Sequence, residues 1–216
     1  MTDSQADPAD GVTRLPEDGI DPDEGDFTYD EFAWFSENCS ENDLPFDGEV
    51  TVERVEVPVG QLGDVSMLRW GAGTPEIVFL HGGAQNSHTW DTVILAMGQP
   101  SALAVDLPGH GRSLWRPDGR YDPHSNARAV LDALRSTVQE PVVLVGMSLG
   151  GLTANRVAAE APDLVKRLVI VDVTPGVTRD KAKEIHDFIA GPQTFGSFDE
   201  IFQRTVEFNP TRSATS

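Results

Sequence analysis

A serine flanked by glycines is the clearest candidate for chemistry in this sequence. The segment Gly146-Met147-Ser148-Leu149-Gly150 directly follows the apolar run PVVLV and directly precedes a helical pattern. A tight turn from strand to helix would strain the backbone of Ser148, and only small neighbours such as Gly146 and Gly150 would let strand and helix approach closely. The hydroxyl would then project at the helix N-terminus, where backbone N–H groups favour a developing oxyanion. The pattern predicts a nucleophilic serine, although a structural serine also fits these five residues taken alone.

A second glycine-rich segment could supply the other half of such a site. His81-Gly82-Gly83-Ala84 stands at the end of the apolar run EIVFL. Its two glycines let the main chain turn back over the strand ends, so the amide of Gly83 or Ala84 could face the same carbonyl oxygen as the amide of Leu149. Two donors aimed at one point form an oxyanion hole, and losing one donor typically lowers the rate by ~10²–10³. Alone, the segment fits an ordinary glycine turn; beside the Ser148 motif it predicts an oxyanion hole.

Three motifs in one order resemble a known superfamily. The segments HGGAQNSHTW, VDLPGHGRS and GMSLGG are similar to those of the α/β-hydrolase superfamily, and RLVIVDVTPG resembles the next strand of its esterase-like members. The resemblance covers residues 50–176. It implies Ser148 as the nucleophile, an oxyanion hole from Leu149 with Gly83 or Ala84, and transfer of the acyl group of an ester or thioester to water. Because position 148 is serine, the resemblance points away from the dehalogenase and epoxide-hydrolase branches, which place aspartate there.

The acid and base that the resemblance implies are harder to place. In the family, an acid and then a histidine follow the serine on loops after later strands. The sequence reaches Ser216 without those strands, so we expect a chain truncated at its C-terminus that is weak or inactive alone. Asp172 could be the acid, whereas His186, the one histidine after Ser148, falls in the middle of a predicted helix, which disfavours it as the base. The alternative is a non-catalytic α/β-hydrolase remnant or a binding module, and neither reading implies a cofactor or metal.

Other residues of these motifs are expected to be structural. The resemblance makes Asp106–Ser113, which includes His110, a turn with no catalytic role. Asn86 and Trp90 lie near the predicted oxyanion loop, where either could line an acyl pocket, although helix packing is favoured for Trp90.

Alternating strands and helices would position these motifs. VTVERVEVPVG and VSMLRWGAG predict two antiparallel strands. Apolar runs at 76–83, 101–109, 141–148 and 167–176 are typical of parallel strands buried on both faces. Helical patterns between them include one with Ser125 as its N-cap and one that stops at Pro162. The predicted fold class is α/β: an α/β-hydrolase fold whose mostly parallel sheet has helices on both faces and lacks its last strands.

Composition divides the chain into three predicted regions. They are an acidic, largely disordered arm (1–49), an α/β-hydrolase core (50–176) and the start of a helical cap (177–216). The cap would contain helices at 179–190 and 197–207, the second opened by the capping box SFDE. Aromatic residues from Phe27 onwards could bring part of the arm against the body. If the sheet ends at RLVIVDV, its apolar edge is exposed, and a homodimer or a partner fragment could cover that edge.

The net charge of the chain limits the kinds of molecule that it could bind. The chain carries 35 acidic and 16 basic residues, a net charge of −19, which opposes binding to phosphate backbones and anionic lipid. We therefore expect a small-molecule acyl substrate, with no nucleic-acid or membrane partner.

The single Cys39 cannot form an internal disulfide, and no signal segment or span of ~18 apolar residues is visible, which favours a cytoplasmic location. The acidic run at 20–31 partly matches a calcium loop, but Ile20 and Pro22 occupy ligand positions, so a solvated acidic arm is favoured.

Overall fold

The computed structural model describes residues 30–173, 194–197, 200 and 203–204 of the chain. The helices are α1 (Phe35–Glu41), α2 (Asp91–Ala96), α3 (Pro123–Thr137) and α4 (Leu149–Glu160). The strands are β1 (Val52–Pro58), β2 (Asp64–Trp70), β3 (Ile77–Leu80), β4 (Ala102–Val105), β5 (Val142–Met147) and β6 (Val165–Val171). Short 3₁₀ turns span Gly60–Leu62, Ser87–Trp90 and Pro162–Leu164.

The strands form one sheet in the order β1-β2-β4-β3-β5-β6. β1 and β4 each pair antiparallel with β2, whereas β3, β4, β5 and β6 pair in parallel with one another. Leu80, at the end of β3, lies beside Val105 of β4 and Gly146 of β5. The predicted mostly parallel sheet after two antiparallel strands is confirmed. Its topology brings the segments that follow β3, β4 and β5 to one edge, where open α/β sheets bind their ligands.

Helices cover both faces of the sheet, as predicted. Alternate strand residues point to opposite faces, and Val78 and Leu80 share a buried cluster with Leu134 of α3 and with residues of α4. The intervening Phe79 packs against Trp90, with ring centroids 5.0 Å apart. Burial on both faces explains why this strand is apolar at successive positions instead of alternating.

Helix α3 begins earlier than the sequence pattern indicates. The prediction of Ser125 as its N-cap is wrong, because Asp122 is the N-cap and Pro123 is the first helical residue. The Asp122 carboxylate accepts the amides of His124 and Ser125, each at 3.1 Å. The Ser125 hydroxyl also donates to this carboxylate, and that hydrogen bond lowers the pKa of Asp122 to about 2. A carboxylate that accepts two amides, followed by a proline whose φ is already helical, starts a helix more effectively than a single serine.

The predicted arm contains an ordered helix near its end. Phe35 and Cys39 of α1 are buried, and the Phe35 ring lies 5.2 Å from the Trp70 ring of β2. The predicted boundary after residue 49 leaves α1 in the arm, and α1 belongs to the same compact unit as the described residues that follow it. Residues 30–34 belong to a separate unit, in which Asp30 accepts hydrogen bonds from the amides of Phe32 and Ala33.

β6 forms an edge of the described sheet. Among the described strands it pairs with β5 alone, and three successive apolar residues, Val169, Ile170 and Val171, are exposed by 44%, 38% and 38%. These values agree with the expectation of an apolar edge at RLVIVDV. The homodimer or partner fragment that would cover it stays a prediction.

The predicted cap falls largely outside the described residues. The helix at 179–190, with His186, is among the residues that are not described. At 197–200 the Ser197 hydroxyl accepts the amide of Glu200 at 3.2 Å, as a capping box requires. The Glu200 carboxylate, however, accepts the amide of Gly196 at 2.8 Å.

Candidate active site

Ser148 occupies the tight turn between β5 and α4. Its backbone angles are φ 48° and ψ −114°, a region that L-residues rarely adopt, and it is the N-cap of α4. Its amide donates to the carbonyl of Val171 at 3.0 Å, which ties the turn to the end of β6. Non-glycine residues in such conformations cost about 1–3 kcal/mol each and cluster at functional sites.

Glycines around the turn are required by close backbone contacts. A Cβ atom at Gly150 would overlap the carbonyl oxygen of Leu80, and one at Gly146 would overlap the carbonyl oxygen of Gly150. α4 therefore approaches both β5 and the end of β3 more closely than any side chain would permit. The predicted role of Gly146 and Gly150 in this approach is confirmed.

The segment after β3 lies directly against Ser148. A Cβ atom placed on Gly82 would be 3.5 Å from the Cβ of Ser148. Within residues 30–173, the amides of Gly83, Ala84 and Leu149 donate no hydrogen bond to another residue. Ala84 adopts a left-handed φ of 59°, which turns the chain back over the strand ends. The structure thus brings the two glycine-rich motifs together at Gly82 and Ser148, and the three amides have no acceptor among residues 30–173.

His81 is buried beneath this loop and bridges two segments of the site. Its Nδ1 lies 2.7 Å from the carbonyl oxygen of Gly82, and its Nε2 accepts the amide of Leu107 at 2.9 Å. These partners fix a neutral tautomer with the proton on Nδ1. Burial lowers the pKa of His81 to about 4. Sequence reasoning named His81 only as the start of the HGG motif; its second partner follows β4 and could not be found without the sheet register.

The His81 pKa predicts a loss of stability in mild acid. Between about pH 6.5 and 4 the unfolded chain binds a proton at this imidazole that the folded chain does not, so the contribution is complete above about 6.5 and is lost as pH falls towards 4. We expect a loss of about 2–3 kcal/mol from this group across the interval. Urea unfolding at several pH values would measure it, with His81→Gln as the non-titrating comparison. Parallel pH curves for the two proteins would contradict the assignment.

Asp106 anchors the loops on the other side of His81. Its buried carboxylate accepts the Arg54 guanidinium at 2.8 Å, the Ser87 amide at 2.6 Å and the Arg112 amide at 3.1 Å. It therefore joins β1, the segment after β3 and its own turn, which supports the structural role expected for Asp106–Ser113. Arg54 was not singled out from the sequence, because it looks like any outward-facing cation on an alternating strand.

Asn86 and Trp90 have structural contacts. The Asn86 side chain accepts the amide of His88 at 3.0 Å and caps the 3₁₀ turn Ser87–Trp90. Trp90 is buried against Phe79, in agreement with the packing role favoured for it.

A backbone hydrogen bond at the end of β6 brings Asp172 close to Ser148. Asp172 directly follows Val171, whose carbonyl accepts the Ser148 amide, and it has a left-handed φ of 49°. Within the described residues, its side chain makes no hydrogen bond and no histidine is hydrogen-bonded to Ser148. His186 lies outside the described residues, so its predicted position mid-helix stays a prediction.

The described residues contain neither a metal-binding cluster nor a membrane-spanning helix. No group of three or more His, Cys, Asp or Glu side chains there could hold a metal ion. No helix in the same part of the chain is long and apolar enough to cross a membrane. Of the acidic run at 20–31, only Asp30 and Glu31 are described, so the calcium-loop alternative lies almost wholly outside.

Comparison with known proteins adds a family match. The model of a family described as the alpha/beta hydrolase family matches residues 77–213. The esterase Rv0045c of Mycobacterium tuberculosis is 47% identical over 194 residues, which cover 87% of this chain and 62% of that protein. Its crystal structure superposes with a TM-score of 0.70 at 45% identity, covering 87% of this chain and 63% of that one.

Two relatives of lower sequence identity are also named as enzymes that cleave esters. The pimeloyl-[acyl-carrier protein] methyl ester esterase of Pectobacterium carotovorum is 36% identical over 140 residues, covering 63% of this chain and 52% of that protein. The mouse sn-1-specific diacylglycerol lipase ABHD11 is 38% identical over 129 residues, covering 58% of this chain and 41% of that protein. The chain thus spans between about two fifths and three fifths of the length of these curated relatives.

Proposed function

Because the chain belongs to the α/β-hydrolase family, we propose that it is a serine hydrolase in which Ser148 transfers the acyl group of an ester or thioester to water. The observation that carries this proposal is the position of Ser148. It stands at a strained strand-to-helix turn, against Gly82, and the amides of Gly83, Ala84 and Leu149 have no acceptor within residues 30–173. A structural serine in an ordinary turn would need neither the left-handed backbone nor the neighbouring loop.

The proposed reaction begins with attack of the Ser148 hydroxyl oxygen on the substrate carbonyl. The hydroxyl proton passes to a base, and the carbonyl oxygen becomes an oxyanion held by the amides of Leu149 and of Gly83 or Ala84. Collapse of this intermediate breaks the bond to the alcohol or thiol, which leaves with a proton, and forms an acyl-serine. Water then attacks the acyl-serine, releasing the carboxylic acid and restoring the hydroxyl.

Asp172 is proposed as the acid that would orient the base. Its place directly after β6, one residue beyond the carbonyl bonded to Ser148, supports this role. The described residues include no histidine bonded to Ser148, and an unactivated serine is a poor nucleophile at neutral pH. We therefore propose that the chain alone is a weak esterase whose rate comes mainly from the oxyanion hole and from substrate binding, terms worth ~10³–10⁴ over water.

The names of the relatives support an ester as the substrate class. Esterase Rv0045c, a methyl ester esterase and a diacylglycerol lipase each bear the name of an ester-cleaving enzyme. The chemistry at Ser148 would be the same for a thioester, and the described residues do not favour one over the other.

Covalent labelling tests the proposal. A fluorophosphonate probe is incubated with the chain at neutral pH, and the modified residue is located by mass spectrometry of the peptide that contains Ser148. An adduct on Ser148, absent from heat-unfolded protein, is the expected result. No adduct at any probe concentration would instead favour the second candidate, a non-catalytic binding module. That candidate is supported by one observation: among the described residues, no histidine is hydrogen-bonded to Ser148.

A further inference from the structure

The side chain of Gln85 closes the loop that faces Ser148. Its carbonyl oxygen Oε1 accepts the amide of Gly82 at 2.8 Å, three residues back along the chain. Gly82 is buried and Gln85 is half-buried. The left-handed φ of Ala84 (59°) turns the backbone so that the side chain can reach back.

The Gln85 carboxamide and Ser148 both lie close to Gly82. A Cβ atom at Gly82 would overlap the Oε1 of Gln85, at 2.7 Å, and would lie in ordinary contact, at 3.5 Å, with the Cβ of Ser148. Glycine at position 82 therefore leaves room for the Gln85 carboxamide. Because an N–H must meet a carbonyl oxygen, the hydrogen bond also fixes the carboxamide with its NH₂ group directed away from the Gly82 amide.

This hydrogen bond decides which amides remain for a substrate. The Gly82 amide donates to Gln85, whereas the amides of Gly83, Ala84 and Leu149 have no acceptor within residues 30–173. Without the Gln85 oxygen, a buried Gly82 N–H would lack a partner, and the loop would reorient to satisfy it.

We infer that Gln85 is a positioning residue of the oxyanion hole, which holds the loop so that the amide of Gly83 or Ala84, together with that of Leu149, faces the reacting carbonyl. The inference rests on the proposed function, since it concerns the same site. It is chemically specific, because position 85 requires an acceptor on a side chain of this length and not merely a polar residue.

Two substitutions separate the acceptor from the shape of the side chain. Gln85→Met keeps the length but removes the acceptor, whereas Gln85→Glu keeps an acceptor oxygen. Asp122→Ala is the matched control, because it removes another acceptor of backbone amides, at the N-terminus of α3. The readouts are the second-order rate of labelling by the fluorophosphonate and the hydrogen-exchange rate of the Gly82 amide by NMR.

Gln85→Met is expected to slow labelling by about 10², the effect of losing one oxyanion donor. The same variant should speed exchange at Gly82 by about fivefold to tenfold. Gln85→Glu should keep the slow exchange of the wild type, and Asp122→Ala should keep its labelling rate. A Gln85→Met variant that labels at the wild-type rate would overturn the positioning role, even if its exchange changes.

Failure of the proposed function would look different. In that case the wild type itself takes no label, whatever the residue at position 85. The exchange rate then decides the remaining claim: unchanged exchange at Gly82 in Gln85→Met overturns the inference that Gln85 holds the loop, and faster exchange upholds it.

Discussion

Replacing Ser148 by alanine is expected to abolish fluorophosphonate labelling of this chain and the part of its slow ester turnover that passes through an acyl-serine. The reason is that the proposed reaction passes through a covalent acyl-serine, and alanine has no oxygen with which to form it. In-gel fluorescence measures the label, and release of nitrophenol from a short-chain nitrophenyl ester measures turnover.

Ser136→Ala is the matched control for this substitution. Ser136 lies on α3, where its hydroxyl donates to the carbonyl of Ala133 at 2.8 Å, and it has no place in the proposed reaction. This control should label at the wild-type rate. Full labelling of Ser148→Ala would show that the probe reacts elsewhere and would contradict Ser148 as the nucleophile.

Replacing Arg54 by methionine is expected to destabilise the fold by about 3 kcal/mol. The substitution leaves the Asp106 carboxylate, whose side chain is 1% exposed, without its cationic partner, and breaking a buried ion pair at one end typically costs 3–5 kcal/mol. We place the effect at the lower end because the amides of Ser87 and Arg112 still donate to Asp106. Urea unfolding at pH 7 measures the change.

Two further variants sharpen this second prediction. Arg69→Met removes a cation from the neighbouring strand β2, where the guanidinium donates to the exposed carbonyl of Gly73 at 3.4 Å, and should cost less than about 1 kcal/mol. The pair Arg54→Met with Asp106→Asn should recover part of the lost stability, because no buried charge is then left unpaired. A loss under about 1 kcal/mol for Arg54→Met would show that water, not the protein, solvates Asp106.

The same ion pair connects stability to the proposed chemistry. Asp106 holds the amide of Ser87, five residues beyond Gly82 in the segment that lies against Ser148. Gln85 closes the near end of that segment, and Asp106 fixes its far end. The loop that faces Ser148 is thus held at two points, once by its own Gln85 side chain and once by Asp106, which follows β4.

The sequence by itself determined the features that depend on neighbouring residues. The apolar runs predicted the buried strands because a strand covered on both faces cannot alternate. The spacing of Gly146, Ser148 and Gly150 predicted the strained turn because only glycines allow helix and strand to approach so closely. These inferences needed no knowledge of what lay opposite each residue.

Only the tertiary structure determined the hydrogen-bond and ion-pair partners that are distant in the sequence. Arg54 and Asp106 are 52 residues apart, and His81 meets the Leu107 amide across 26 residues. Such pairs depend on the order and register of the strands, which place β2 between β1 and β4, and β4 beside β3. Even the local hydrogen bond from the Gly82 amide to the Gln85 side chain needed the left-handed turn at Ala84, a conformation that alanine does not favour by itself. Local sequence patterns determine the secondary structure of each segment. The packed sheet determines which distant groups share a buried hydrogen bond. A buried polar group loses its hydration, and this cost is offset only where a hydrogen-bond partner lies within reach.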